Sequence, residues 1–508
     1  MATAPGAGVP AFRPDAVLLG GGLLAAIGAG ALAGVSPVLA VGAFGGLAAI
    51  WLMTFGTRMV PVFHIGLITI LIGYAFFGRG MAYVGVAPIF VGELVLGIGA
   101  LAILVSLPGA RWHPVHVAIA LFVAWGLLRT IPYLGSFGID ALRDGVSYAY
   151  AVFAVAVSLT VRRGHVDAIL RLYRRWIPIF VGWVPVAAIL SIGFAASLPV
   201  VPGSNIPIIV FKGGDTGVHL GAIGAFMLLG LGGTGRNAIP DALVWALWLV
   251  AVGIAGAVNR GGMVAASMMA TAVLFGRTTS RWLTLILVGL FLVAVAGIVD
   301  PQVDVGITRR LSVDQVVDNV LSVFGGGPKD PYLEGTKEWR LRWWNEIVDY
   351  TINGQYLWTG KGFGINLADA DGFQVAADGS LRAPHNGHLE LLARGGLPML
   401  LLWVLVNGVY LLTLVRTALR ARAAGMTMWV GILGWVTVYW LAALVNASFD
   451  PYLQGPMGGI WFWSVMGFGI ALARIVRDEA AARPGGEAAV ARSAPVSGVA
   501  VASGRSPG

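Results

Sequence analysis

Fourteen apolar runs govern what this chain can fold into. They fall at about 16–34, 38–55, 60–77, 86–106, 114–131, 145–161, 177–197, 217–235, 241–258, 262–276, 282–299, 396–415, 427–446 and 457–474. Each reaches or approaches the roughly 20 residues that a helix needs to cross a bilayer. Only 11% of the 508 residues are charged and mean hydropathy is +0.83, where a soluble domain carries about 25% charge. The expected fold is an all-α polytopic membrane helix bundle of about 12–14 transmembrane helices. One long, partly helical extracytoplasmic loop interrupts it. The 73 glycines suit close helix approach. With no cysteine, disulfides, thiolate chemistry and cysteine metal sites drop out.

The arginines report orientation before they report a partner. Arg162, Arg163, Arg171, Arg174 and Arg175 form one basic connector, Arg277 and Arg281 a second, and Arg416, Arg420 and Arg422 a third. The positive-inside rule puts all three in the cytoplasm, both termini with them, and the 300–395 segment outside. The net charge of +9 is therefore no sign of nucleic-acid binding. The expected divisions are a disordered N-terminus (1–15), an N-terminal transmembrane bundle (16–299), the extracytoplasmic loop (300–395), C-terminal transmembrane helices (396–475) and a disordered cytoplasmic tail (476–508). Ala31-Leu32-Ala33 resembles a signal-peptidase site, but the apolar run before it is long, so an uncleaved first helix is expected.

The polar loop carries the candidate chemistry. Ser312 to Gln315 reads as a capping box opening a helix with an apolar face to Phe324. A second helix is expected from Thr336 to Asn353, with Trp339, Trp343 and Trp344 as headgroup-level anchors. On it Arg342 has Glu338 and Glu346 four residues away on either side. Arg340 projects from nearly the opposite face beside tryptophans, with no carboxylate at intrahelical spacing, a setting suited to an external anion such as a diphosphate. Leu357 to Gly364 lacks phosphate-loop spacing and reads as a tight turn near substrate, with Lys361 a candidate contact. Arg260, in Asn259-Arg260-Gly261-Gly262, stands between two apolar runs at the outer surface. A charge costs about 2.5–3.5 kcal/mol at mid-membrane and less towards the interface, so Arg260 is a functional candidate whose glycines would admit a bulky ligand; the alternative is a snorkelling side chain.

The loop closes on Pro384-His385-Asn386-Gly387-His388. Pro384 is expected to hold His385 extended or in a turn. Asn386 is a candidate N-cap for a short helix ending at Gly395-Gly396. His385 would sit at the positive end of that helix, where the dipole keeps the ring a neutral base. Glu390 pairs with Arg394 four residues on. His385 and His388 lack a third ligand that would make a zinc site, so no metal and no cofactor are expected. His64 and His219 read as structural.

Three motifs in this order resemble the O-antigen ligase and polysaccharide polymerase family of bacterial membrane glycosyltransferases. They are Asn259 to Gly262; Arg340 with Trp344 followed by the Leu357–Gly364 turn; and His385-Asn386 with Leu389, Leu392 and Gly396. Asn446 to Asp450 is a weaker match. Asn259 departs from the family's serine, and Met399 stands where ligases carry a second spaced glycine.

The resemblance implies an inverting, metal-independent transfer of a glycan from an undecaprenyl-diphosphate carrier to an acceptor hydroxyl. Arg260 and Arg340 would bind the diphosphate and His385 would be the general base. Asn386, Lys361, Trp344 and Asp450 would contact substrate, although Asn386 also serves as a cap. The implied partners are the lipid-linked donor, a glycan, lipid A core or protein acceptor, membrane lipids, and glycan-export and chain-length-control proteins. The setting implied is the bacterial cytoplasmic membrane, with the loop on the periplasmic side. A small-anion transporter or a non-catalytic partner in glycan export is the alternative. Transporters place their charges near the midplane, often in paired repeats, whereas these candidates lie at the outer edge.

Overall fold

The computed structural model describes residues 58–86, 89–232, 240–276, 279–299, 303–304, 310–311 and 331–483. The expected N-terminus, the first two apolar runs, the Ala31–Ala33 motif, the Ser312–Phe324 helix and the tail beyond residue 483 lie outside the described residues.

The chain is an all-α bundle. Its main helices are α1 (Arg58–Phe77), α2 (Val91–Ser106), α3 (Pro114–Thr130), α4 (Ile139–Ala149), α5 (Ala151–Thr160), α6 (Arg163–Gly193) and α7 (Gly213–Leu228). There follow α8 (Asp241–Val258), α9 (Arg260–Ser267), α10 (Thr279–Val299), α11 (Pro331–Thr351), α12 (Gly387–Ala423), α13 (Thr427–Asn446) and α14 (Pro456–Ala481). Among the described residues, strands amount to two antiparallel two-residue pairs, Gly85–Val86 with Ile89–Phe90 and Val303–Asp304 with Arg310–Leu311. Eight helices among the described residues are long and apolar enough to span a membrane, or nine if α4 and α5, which meet at a 40° bend, form one span. The runs at 217–235 and 262–276 become shorter or broken elements: α7 has 16 residues and α9 passes into a 3₁₀ turn at Met268.

The centre of the bundle is α13 and α14, whose most apolar stretches are 78% and 89% buried, against 22–39% for the other single spans. Helix α7 packs on α9 and α13, α14 on α5, and α12 on α3. Glycine sets the α7–α9 distance. A Cβ on Gly262 would lie 2.2 Å from the Gly213 carbonyl oxygen, and one on Gly217 only 2.1 Å from that of Gly262. The space expected for a ligand at Gly262 is therefore filled by a neighbouring backbone.

The three basic connectors meet at one end of the bundle. Arg174 donates to the Leu231 carbonyl, Arg281 to Leu228 and Arg422 to Leu274. Such cations satisfy the last carbonyls of helices and complement their dipoles. Helix α14 runs to Ala481, past the expected start of the tail at 476. Asp478 holds Arg111 and Glu479 holds Arg163 there, which extends the ordered helix.

The 331–395 segment covers the opposite end and has its own core. Trp343 is fully buried, lies parallel to Phe373 at 5.5 Å and donates 2.7 Å to Asp371. Ile347, Leu367, Ala368, Leu392 and Ala393 complete the cluster. Trp343 is thus the interior of a folded cap and not a headgroup anchor, with the half-buried Trp339 packed against that core. Only contacts made far away in sequence reveal this.

Candidate functional site

The site is built on the short connection from α13 to α14. At Gly387 the backbone N–H donates 2.7 Å to the Ala447 carbonyl, docking the start of α12 on that connection. Arg340 Nη1 on α11 donates 3.3 Å to the Phe449 carbonyl. The side chain of Phe449 covers Gly261, next to Arg260 at the start of α9, and leaves only 3.0 Å for a Cβ there. Lys212, just before α7, lies 2.9 Å from Asp450 and 3.5 Å from Asp215. Four separated stretches of chain therefore converge on residues 446–450.

His385 is half-buried and takes a positive φ of 53°, the one non-glycine residue among those described to do so. Proline restricts the residue that precedes it, Ala383, and leaves the one that follows free to enter the left-handed region. The turn conformation, not the extended one, is realised. Such a backbone costs about 1–3 kcal/mol and persists where its surroundings hold it. Asn386 caps α12, its side chain accepting from the N–H groups of His388 (3.0 Å) and Leu389 (3.1 Å). Trp344 Nε1 donates 2.8 Å to the Pro384 carbonyl, and the Trp339 ring stands edge-on 6.5 Å from the imidazole. Burial pushes the His385 pKa down to about 4; the positive charges of Arg340 and Lys212 push the same way and Asp450 opposes them. The ring is a neutral imidazole at physiological pH.

His388 is held inside the protein. Trp403 Nε1 donates 3.0 Å to its Nδ1, which leaves the proton on Nε2, 3.2 Å from both the Leu444 carbonyl and Ser448 Oγ. Helix α12 breaks at Gly396 (φ 71°), where the expected stop falls, and continues beyond it. Met399 is fully buried at the break.

The Leu357–Gly364 turn is tight, with Gly360, Gly362 and Gly364 all at positive φ. Its glycines are filled by protein: a Cβ on Gly360 would lie 2.4 Å from the Arg394 backbone, and one on Gly362 2.2 Å from the Tyr133 ring. Lys361, expected to touch substrate, forms an ion pair with the fully buried Asp371 side chain and lies 4.0 Å over the Tyr350 ring. Its ammonium is committed to holding the turn.

Beneath the turn lies a buried ionic network. Arg394, 1% exposed, is 2.8 Å from both Glu390 and Asp144, and Arg382 is 3.1 Å from Asp144. The Glu390–Arg394 pair follows helical spacing. Asp144 comes from α4, and sequence reasoning did not single it out. Lys212 and Asp215 were missed too. Their signal was a Lys-Gly-Gly-Asp cluster heading an apolar run.

The fold and this convergence define a multi-pass membrane protein with a polar cap folded over one end of its bundle, presenting a neutral histidine, arginines and a carboxylate together. Residues 245–404 match the family model described as O-antigen ligase. Over that stretch, about a third of its length, the chain is similar to the O-antigen ligase family, with Arg260, Arg340, His385 and Asn386 inside the matched region and Lys212 and Asp450 outside it. A search of curated proteins finds no match.

Proposed function

We propose that this protein is a glycosyltransferase that takes a glycan from an undecaprenyl-diphosphate-linked donor and joins it to an acceptor hydroxyl, by polymerisation or ligation, at the outer face of the cytoplasmic membrane. The transfer is inverting and needs no metal. The observation that carries this reading is the meeting of His385, Arg340 and the Arg260 helix start on the 446–450 connection.

The neutral imidazole of His385 accepts the proton of the acceptor hydroxyl as that oxygen attacks the anomeric carbon. The bond from that carbon to the phosphate oxygen breaks, and the diphosphate carrier leaves with the electron pair. Arg340 and Arg260 offset the charge developing on the leaving group. A pKa of about 4 makes His385 a weak base before substrate arrives. The dianionic donor beside it raises that basicity when it is needed. Asn386 fixes the strained turn, Trp344 braces it through Pro384, and Asp450 orients the cation side of the site through Lys212.

The test uses purified protein in nanodiscs with undecaprenyl-diphosphate glycan and EDTA. Wild type should release carrier diphosphate and lengthen the glycan, or transfer it to an added lipid A core or protein acceptor. His385→Ala should lower kcat about 10²–10⁴-fold, and Arg260→Ala or Arg340→Ala about 10²–10³-fold. Full turnover by a folded His385→Ala variant would remove the general-base role. Absence of turnover by folded wild type with every acceptor would remove the enzyme reading.

A further inference from the structure

Four arginines crowd one corner of the bundle, at the end where the basic connectors meet and away from the cap. Separate stretches of chain bring them there. Arg111 comes from the connection between α2 and α3, Arg162 from the junction of α5 and α6, and Arg474 and Arg477 from near the end of α14. Arg111 Nη1 bonds Asp478 at 2.9 Å, and Arg477 Nε lies 3.9 Å from the same carboxylate. Arg474, half-buried, donates 2.5 Å to the Val161 carbonyl, next to Arg162. The charges of Arg162, Arg111 and Arg477 all act on Arg474, and that of Asp478 opposes them. The four arginines thus meet around Asp478, whose single charge offsets only one of them.

Other features of the corner point the same way. Helices α3 and α6 both start there, at Pro114 and Arg163, and their dipoles add positive potential. The charge of Arg477 also reaches His113, the N-cap of α3. Arg111, Arg162 and Arg477 are exposed, so their guanidinium groups are open to an anion. The patch also has an apolar margin. Trp112, beside Arg111, is 60% exposed, as suits an indole at headgroup level. Leu104 and Leu107 at the end of the α2 span, and Val117 and Leu121 on α3, are exposed next to it. Guanidinium groups bordered by lipid-facing apolar side chains match an anionic amphiphile lying in the bilayer leaflet. Arginines on three stretches of chain outnumber the forks that one phosphate can engage, whereas a head with two phosphates can bridge them.

We propose that this corner binds a phospholipid whose head carries two phosphates, a diphosphatidylglycerol, between α3, α6 and α14. Basic pockets between membrane helices take such heads. The lipid ties together three stretches that the protein's own contacts join through Asp478 and the Val161 carbonyl. The test titrates the full-length protein in detergent with diphosphatidylglycerol. Retained lipid is counted by native mass spectrometry, and the melting temperature gives a second reading. A single lipid per chain should stay bound and raise the melting temperature. Phosphatidylglycerol at matched phosphate concentration should bind about tenfold more weakly, having one phosphate to offer. Inorganic diphosphate, the anion without acyl chains, should give no shift. Arg162→Gln and Arg477→Gln, both at exposed positions, should each weaken retention about fivefold. Arg416→Gln and Arg420→Gln, in another basic connector, should leave it unchanged. A variant that melts lower without lipid is still read by its lipid count. Equal retention of phosphatidylglycerol, an equal shift with inorganic diphosphate, or retention unmoved by both corner substitutions would overturn the site. Equal losses in the Arg416 and Arg420 variants would reduce the effect to overall charge and overturn it as well.

Discussion

At the scale of single residues, the proposed chemistry turns on how His385 is held. Its pKa of about 4 lies below the ordinary value near 6.5, so the folded protein resists protonation there. The acid limb of kcat/KM should therefore stay flat down to about pH 5 and fall only as pH passes through 4. A limb breaking near 6.5 would mean an exposed imidazole. The same shift makes the unfolded chain bind a proton first. This contribution to stability is intact above 6.5, declines as pH drops towards 4, and should vanish in His385→Gln. Asn386→Ala removes two accepted hydrogen bonds at the start of α12 and should cost about 1 kcal/mol. Because the cap is adjacent to the strained turn, kcat should fall more than thermal stability does. Equal kcat with lower stability would reduce Asn386 to a cap alone. This turn was legible beforehand since a proline, a histidine and an Asx cap act within a few residues of one another. The Arg382–Asp144 contact, across 238 positions, had no local signature.

Between elements, backbone approach matters more than side-chain chemistry. Helices α7 and α9 touch through Gly213, Gly217 and Gly262. Gly262→Ala should force them apart at a cost of about 1–3 kcal/mol. It should also shift Asn259 and Arg260, visible as a lower melting temperature in detergent together with weaker donor binding. A variant with wild-type melting and binding would show that the contact tolerates a methyl group. The sequence displayed these glycines but not what they faced, and a ligand or a neighbouring helix predicts the same residue. The tryptophans of α11 carried the same ambiguity. Amphipathic position is readable along one helix, whereas whether lipid or Phe373 and Asp371 meets that face depends on how the cap folds.

For the whole molecule, the cap and the bundle are joined by charge in a buried setting. Asp144 on α4 accepts from Arg382, Arg394 and the Gly364 N–H. Asp144→Ala would leave Arg394 with Glu390 and the Ile365 carbonyl. The expected loss is about 3 kcal/mol, at the low end for breaking a buried pair because one partner remains. Protease cleavage within 357–396 should appear before the bundle unfolds; unchanged protease resistance would contradict this coupling. The spans and the cap were foreseeable as masses of apolar and polar sequence. Their joint was not, since an aspartate beside Arg143 at the edge of an apolar run says nothing of a distant arginine.

The docking of Gly387 on Ala447 also has a consequence in time. The ribosome makes His385 about 65 residues before Asp450, an interval of ~3–13 s at ~5–20 residues per second. During it the histidine turn has no platform, because α13 has yet to be threaded into the membrane and the connection behind it does not exist. On the proposed function, a nascent chain thus lacks its assembled site until α13 and the 446–450 connection are in place. Threading of that connection is then the activating step.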